Sequence, residues 1–213
     1  MKLPSELQQL LMIIQDYNPY LVGGCVRDHL LGKEPHDFDV VVDKVHHQML
    51  LDLNDAGWST KLSNNGNTEI WNISKKFPVY ECITGYIYEP ISFVKNEKSY
   101  IVEVLGFRGS SIEEDASNRD LTINSLYYDP FKDKIIDPTG RGISDIENKV
   151  IRFNNKEVVN TDLLRIARAY RFAKQLGFTI EDRSLRLCRS EFDRMIKEIN
   201  STRIMKEFEK ICL

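Results

Sequence analysis

One stretch constrains this chain more than any other: Leu21 to Asp43, LVGGCVRDHLLGKEPHDFDVVVD. A short apolar run, Tyr20 to Val22, stops at Gly23-Gly24, and a helix-like segment, Cys25 to Leu31, follows at once. After a turn at Gly32 to Pro35, Asp37-Phe38-Asp39 leads into Val40-Val41-Val42. Glycines between a strand and a helix let backbone N–H groups approach a phosphate closely. Carboxylates at i and i+2 of a strand project to one side, and such a pair can hold hard divalent cations such as Mg²⁺. Phosphate-binding glycines followed by a metal-binding pair equip a chain for phosphoryl or nucleotidyl transfer. Taken singly, Gly-Gly is usually a plain turn and Asp-x-Asp usually solvated surface. Their order and spacing make the combination specific.

The rest of the composition sets bounds on that reading. The chain has 213 residues, 42% hydrophobic and 29% charged, enough for one or two globular domains with a real core. No apolar run approaches the length of a membrane span. The N-terminal MKLPSELQQLLMIIQDY lacks the basic region and small-residue cleavage site of a signal peptide. Cys25, Cys82, Cys188 and Cys212 are scattered without a C-x-x-C, and are expected as free thiols of a reducing cytoplasm. The net charge of −3 does not suggest a nucleic-acid binder, but its distribution does. From Ile151 onward there are 14 Lys and Arg against 9 Asp and Glu; up to Val150 there are 15 against 23. An acidic front and a basic C-terminal third fit metal-binding carboxylates beside a phosphate-contacting surface, and equally a helical domain with ordinary exposed arginines.

Along the chain, Leu7, Leu10, Leu11 and Ile14 recur at helical spacing, predicting an amphipathic helix over Ser5 to Tyr17. Lys44 to Ala56 is expected as a helix ended by Gly57. Trp58 to Ser63 and Thr68 to Ser74 are expected as strands about the turn Asn64 to Asn67. Residues 75–98 are strand-rich and suggest no chemistry. Ser99 to Phe107 is a strand holding Glu103 among apolar neighbours. A buried unpaired carboxylate is costly, so Glu103 requires a cation or donor nearby, unless it faces water on an edge strand. Ser111-x-x-Glu114 opens a short helix as a capping box. Tyr127 to Pro130 and KIIDP form a hairpin. From Thr161 the pattern turns helical: Thr161 is expected to cap Asp162 to Leu176, with Gly177 ending it. A helix over Asp182 to Ile199 and a last one capped by Ser201 or Thr202 follow. The strand pattern gives way to helices near Phe153 to Asn160.

GGCVRD followed by DFDVVVD resembles the nucleotidyltransferase superfamily, and within it the class II tRNA CCA-adding enzymes and bacterial poly(A) polymerases. The likeness continues in family order. SNRDLTINSL is similar to the family's RRD-plus-TINA segment, and DPTGRGISDIENKVIR to its DP-G-G-DL-KVIR stretch. TDLLRIARAYRFAKQLGF is similar to its EDxxR helix, and STRIMKEFEKI to the segment closing its neck. The resemblance implies an α+β fold. Residues 1–153 would form a nucleotidyltransferase head, a small mixed sheet flanked by helices. Residues 154–213 would form an all-helical neck that recognises the nucleotide.

The implied activity is template-independent addition of C and A to tRNA 3′ ends from CTP and ATP, in the cytoplasm, on RNA and not DNA. Asp37 and Asp39 would bind two Mg²⁺ ions, with Glu103 the candidate third carboxylate. Gly23, Gly24 and Arg27 would hold the triphosphate; Arg119 and Asp120 would contact the ribose and phosphates. Asp162 and Arg165, at i and i+3, would read the base, with Arg168 and Arg171 further nucleotide contacts on the same helix. An ionised Asp only accepts hydrogen bonds and an Arg only donates. Cytosine and adenine offer an amino donor beside ring acceptors; uracil and guanine put a carbonyl where the Asp needs a donor. Read without the other motifs, the pair is an ordinary surface salt bridge. The sequence departs from the family pattern at Asn118, where the family has an Arg, and at Thr161, where it has a Glu expected to buttress the templating Arg. The likeness stops where the family's tRNA-gripping body and tail domains would begin, so a second copy or a partner is expected to supply that grip. Alternatives are poly(A) synthesis, CC-only or A-only addition, or a non-catalytic nucleotide- or RNA-binding subunit.

Overall fold

A computed structural model describes residues 1–35, 37–43, 47–62, 91–94 and 102–211. The chain divides into two compact units, Met1–Ile112 with Tyr127–Ile136, and Glu113–Leu126 with Asp137–Leu213. The strands expected at 68–74, most of segment 75–98, Cys82 and Cys212 lie outside the described residues.

The first unit is built on a seven-stranded mixed sheet. Its strands are β1 (Tyr20–Val22), β2 (Phe38–Val42), β3 (Ser59–Leu62), β4 (Ile91–Val94), β5 (Val102–Gly106), β6 (Tyr127–Asp129) and β7 (Lys134–Ile136). They lie in the order β3-β4-β5-β2-β1-β6-β7. Every neighbouring pair is antiparallel except β2 and β5, which run parallel. Val40, Val41 and Val42 of β2 are all 0% exposed, which explains its unbroken apolar run: a strand buried on both faces has no polar alternation. Among the described residues this unit has the helices α1 (Ser5–Ile13), α2 (Gly24–Leu30) and α3 (His47–Asp55). The helix expected to reach Tyr17 stops at Ile13. The chain tightens into a 3₁₀ turn at Gln15–Tyr17, and Asn18 ends it in the left-handed region at φ 48°, which Asn tolerates better than most residues. Leu7, Leu10, Leu11 and Ile14 are buried as their spacing implies.

The second unit contains α4 (Ile112–Asn118), α5 (Gly142–Glu147), α6 (Glu157–Thr161), α7 (Leu164–Leu176), α8 (Asp182–Glu198) and α9 (Ser201–Glu209). A two-stranded parallel sheet joins β8 (Val150–Ile151) to β9 (Thr179–Ile180). Gly177 ends α7 at φ 68°, as its type predicts. The α7 start differs from expectation. Thr161 closes α6, and Asp162 is extended at φ −150°, ψ 102°. Its Oδ1 accepts the Leu164 N–H at 3.0 Å, so the residue expected inside the helix caps it. A carboxylate one methylene from the backbone competes well for free N–H groups at a helix start. Glu181 and Asn200 cap α8 and α9 in the same way, displacing the expected Ser201 and Thr202.

A buried polar network holds the 3₁₀ turn Thr122–Asn124. Thr122 Oγ1 donates to Asp145 at 2.7 Å, and Arg152 Nε pairs with the same carboxylate at 3.0 Å. Asn154 Nδ2 lies 2.7 Å from the Ala116 carbonyl and 2.8 Å from that of Arg119. Gly142 sits against this turn: a Cβ there would fall 2.7 Å from both Leu126 Cδ2 and the Thr122 carbonyl oxygen. Gly142→Ala is therefore expected to cost about 1–3 kcal/mol, as overpacking does. Urea unfolding of the variant measures it, and unchanged stability would show that the turn can move aside.

Candidate active site

In the first unit, strand pairing assembles the predicted carboxylates. Asp39 lies opposite Val22 of β1 on one side and opposite Glu103 of β5 on the other. Register neighbours project to the same face of a sheet, so Asp39 and Glu103 stand side by side. Asp37, exposed, precedes β2 by one residue; Asp39 and Glu103 are half-buried. β5 is hydrogen-bonded on both edges, to β2 and β4, so Glu103 is not on an edge strand. Burial, then the charges of Asp39 and Asp37, push its carboxyl above its ordinary value of 4.5. The glycines lie where β1 leaves this point. Gly23 takes φ 79°, ψ −128°, a conformation that suits glycine, and α2 starts at Gly24. A Cβ on Gly24 would lie 3.7 Å from the Arg27 guanidinium. Arg27 is 8% exposed and binds Asp28 Oδ1 at 2.8 Å. Cys25 is buried behind the same turn; burial, then the charge of Asp39, push its thiol up to about 12, which makes it inert.

Among the described residues no group of three or more His, Cys, Asp or Glu side chains could hold a metal ion unaided. The donors nonetheless suit a hard cation that takes one or two carboxylates and completes its shell with substrate phosphates. The mutual repulsion at Glu103 is what such a cation would offset.

In the second unit the remaining predicted residues gather around Asp120. This carboxylate is 6% exposed. Its Oδ1 accepts the Leu121 N–H at 2.8 Å and Asn124 Nδ2 at 3.3 Å. Its Oδ2 accepts Arg168 Nε at 2.8 Å and pairs with Arg168 Nη2 at 2.7 Å. Burial works to raise the Asp120 carboxyl, but Arg168, the Leu121 N–H and the charge of Arg165 outweigh it and hold it far below the carboxylate range. Arg119 is buried and paired with Asp115 at 2.8 Å. Arg171 is 9% exposed and forms an ion pair with Glu207 of α9 at 2.7 Å, its guanidinium 4.0 Å from the Phe172 ring centroid.

Asp162 and Arg165 do not form the surface ion pair that their spacing allows. Arg165 donates its backbone N–H to the Asp162 carbonyl at 3.1 Å and its Nη1 to the Val158 carbonyl, also at 3.1 Å. Thr161 Oγ1 donates to that same carbonyl at 3.0 Å. The end of α6 thus holds Arg165. Sequence reasoning missed this anchor, because a backbone acceptor has no residue-type signal. It also missed Asp115, Glu207 and Asn154, whose partners are set by packing.

Residues 19–152 match the poly A polymerase head domain. The chain belongs to the class II CCA-adding enzyme and poly(A) polymerase family of nucleotidyltransferases. It is 31% identical to a CCA-adding enzyme of Streptococcus pyogenes serotype M2, across 100% of this chain and 51% of that protein. It is 33% identical to a CC-adding tRNA nucleotidyltransferase of Halalkalibacterium halodurans, across 77% and 36%. It superposes on the Bacillus stearothermophilus CCA-adding enzyme in complex with CTP with a TM-score of 0.74 at 26% identity, covering 99% of this chain and 49% of that one. The α+β fold with its small mixed sheet is that of the family. The chain spans about half the length of the CCA-adding enzymes it matches. No helix among the described residues is long and apolar enough to cross a membrane.

The Glu103 environment has a pH consequence. A carboxyl raised in the folded state contributes stability that is complete below about pH 4.5, and that stability is lost as pH rises through the folded value. Without divalent cation, Glu103→Gln is therefore expected to melt higher than the parent at pH 7, with the gap closing on acidification. Added Mg²⁺ should raise the parent's melting temperature more than the variant's. Parallel melting curves check both expectations, and a variant less stable at pH 7 would show that Glu103 has a stabilising partner there.

Proposed function

We propose that this chain adds C and A to the 3′ end of tRNA from CTP and ATP, without a nucleic-acid template. The carrying observation is the register that sets Asp39 beside Glu103, on strands adjoining the Gly23-Gly24 turn. Asp37 and Asp39, with Glu103 as a third donor, would hold Mg²⁺. Bound there, Mg²⁺ supplies Lewis-acid activation of the RNA 3′-hydroxyl and neutralises charge on the triphosphate. The backbone at Gly23 and Gly24 carries no side chain of its own to keep phosphate oxygens away, and the Arg27 guanidinium stands 3.7 Å from where a Cβ on Gly24 would lie. We assign nucleotide transfer to residues 1–153 and nucleotide recognition to residues 154–213.

Recognition rests on Asp162 and Arg165. Asp162 spends Oδ1 on the Leu164 N–H, which leaves Oδ2 to accept the amino group of cytosine or adenine. Arg165, held at Nη1 by Val158, keeps further N–H donors for the ring acceptors. Arg168 and Arg171 add positive charge on α7. The buried Cys25 and Cys188 thiols suit a reducing cytoplasm. CC-only addition is the second reading, favoured by the H. halodurans relative. Incubation with tRNA lacking its CCA end and each labelled nucleotide separates the two: incorporation of C followed by A supports the first, arrest after C the second, and binding without incorporation a non-catalytic subunit.

Asp39→Ala is expected to lower kcat by well over 10-fold, since loss of metal-dependent stabilisation exceeds about 1.4 kcal/mol. A variant retaining more than about a tenth of parental kcat would remove Asp39 from this role. Asp162→Asn separates the cap from the base. Its Oδ1 keeps the bond to Leu164, while its amide presents a donor where the carboxylate accepted. A charged hydrogen bond contributes about 1.5–3 kcal/mol, so preference for CTP and ATP over UTP and GTP should fall by roughly 10- to 150-fold with little change in melting temperature. Values of kcat/KM for the four nucleotides measure this, and an equal fall in all four would confine Asp162 to capping α7.

A further inference from the structure

We infer that Asn155 is a positioning residue for nucleotide choice: it seats the short helix α6 so that the Val158 carbonyl aims Arg165. This rests on the reading of Arg165 as a base contact and extends it to a residue that no motif marks. α6 has five residues, Glu157–Thr161. A helix that short is not stable alone and lies where its anchors put it. Val158 and Val159 are 3% and 0% exposed, and their burial sets the depth of α6 in the second unit. Apolar burial has no direction of its own; hydrogen bonds supply it. Asn155, half-buried, makes two. Its Oδ1 accepts the Val158 N–H at 3.0 Å, and its Nδ2 donates to the Ser117 carbonyl at 2.8 Å. The first partner is a donor that the start of a helix leaves unpaired, the second an acceptor that the end of α4 leaves unpaired. One side chain thus joins the end of α4 to the start of α6. Both partners are backbone groups of fixed character, so the amide can face only one way.

Val158 passes that fix from its N–H to its carbonyl. The N–H is held by Asn155, and the carbonyl accepts Arg165 Nη1 at 3.1 Å and Thr161 Oγ1 at 3.0 Å. Among the described residues this is the only side-chain hydrogen bond that Arg165 makes. Burial draws the Arg165 guanidinium below its ordinary pKa; the charges of Asp120 and Asp162 oppose this, and those of Arg168 and Arg119 add to it. Such charges act over several ångströms and in all directions. They keep the guanidinium in the neighbourhood without setting where its donors point, whereas a hydrogen bond does set it. The other donors of the fork are rigidly related to Nη1, so a Val158 carbonyl held in place fixes their direction too. A shift of α6 would turn them away from a base without disturbing any group assigned to the transfer itself.

The test compares Asn155→Ser, Arg165→Gln and the double variant, with CTP and ATP as substrates on tRNA lacking its CCA end. Serine keeps an oxygen that can cap α6 and removes the bond to Ser117. Asn155→Ser is expected to raise KM for both nucleotides by roughly 2- to 10-fold, as the loss of one hydrogen bond does, with kcat unchanged. Beside Arg165→Gln the same substitution should add nothing, since both act on one interaction. A KM equal to the parent's, a fall in kcat at constant KM, or a full penalty in the double variant would overturn the inference. If Asn155→Ser does not fold, Asn155→Asp keeps the cap acceptor, loses the same donor and is judged by the same comparison. A second measurement needs no activity. The Val158 carbonyl carbon resonance of the ligand-free protein should move in Arg165→Gln, as its donor is lost, and in the same direction in Asn155→Ser. A resonance that ignores either substitution overturns the inference. If the parent transfers no nucleotide, the function reading fails, and the Val158 resonance still decides whether Asn155 positions Arg165.

Discussion

The parallel pairing of β2 with β5 is the constraint on which the first unit depends. Both strands belong to the sheet interior, and the three valines of β2 are wholly buried. Register in such a pair is set by apolar burial, because a slip of one residue would turn every side chain to the other face. The same register places Asp39 next to Glu103. Apolar packing thus enforces the close approach of two carboxylates, and burial first, then the charges of Asp39 and Asp37, push the Glu103 carboxyl above its ordinary value.

The second unit meets the opposite electrostatic problem. Its helix α7 carries Arg165, Arg168 and Arg171 on successive turns, and each has its own acceptor. Arg165 has the Val158 carbonyl, Arg168 has Asp120, and Arg171 has Glu207. Buried ion pairs of this kind add little net stability over apolar packing, but removing one partner leaves an uncompensated charge and is costly. Their value lies in fixing where each guanidinium can point. The three differ in exposure: Arg171 is enclosed, while Arg165 and Arg168 retain access to solvent.

The departure at Thr161 shows how a local change is absorbed. A carboxylate there would have accepted from Arg165. The threonine hydroxyl is itself a donor, and it shares the Val158 carbonyl with the arginine. A carbonyl oxygen has two lone pairs, so both bonds can be made. The anchor is a neutral backbone group instead of a charged side chain, and charged acceptors bind roughly twice as strongly. Arg165 is therefore held by the α6 backbone.

Local grammar carried much of this protein in plain sight. Gly23-Gly24 stopping a strand, the Asp37 and Asp39 pair before three valines, and Gly177 ending α7 are determined within a few residues of themselves. Such signals depend on dihedral preference and side-chain periodicity, which a sequence displays directly. The ordered motifs were enough to place the family. The start of α7 was missed by two residues, because whether Asp162 extends the helix or caps it turns on a single competing hydrogen bond. Glu103 was legible as a carboxylate needing a partner, but its neighbour came from strand order. The Asp120 carboxylate was legible in the sequence, but its partner was not: Arg168 lies 48 residues away, and only packing brings the two together. The sequence by itself determined which chemical groups the chain carries and the local elements that bear them. The tertiary structure alone decided which groups face each other and which remain free, because contacts between distant residues are set by the burial of apolar surface across the whole unit.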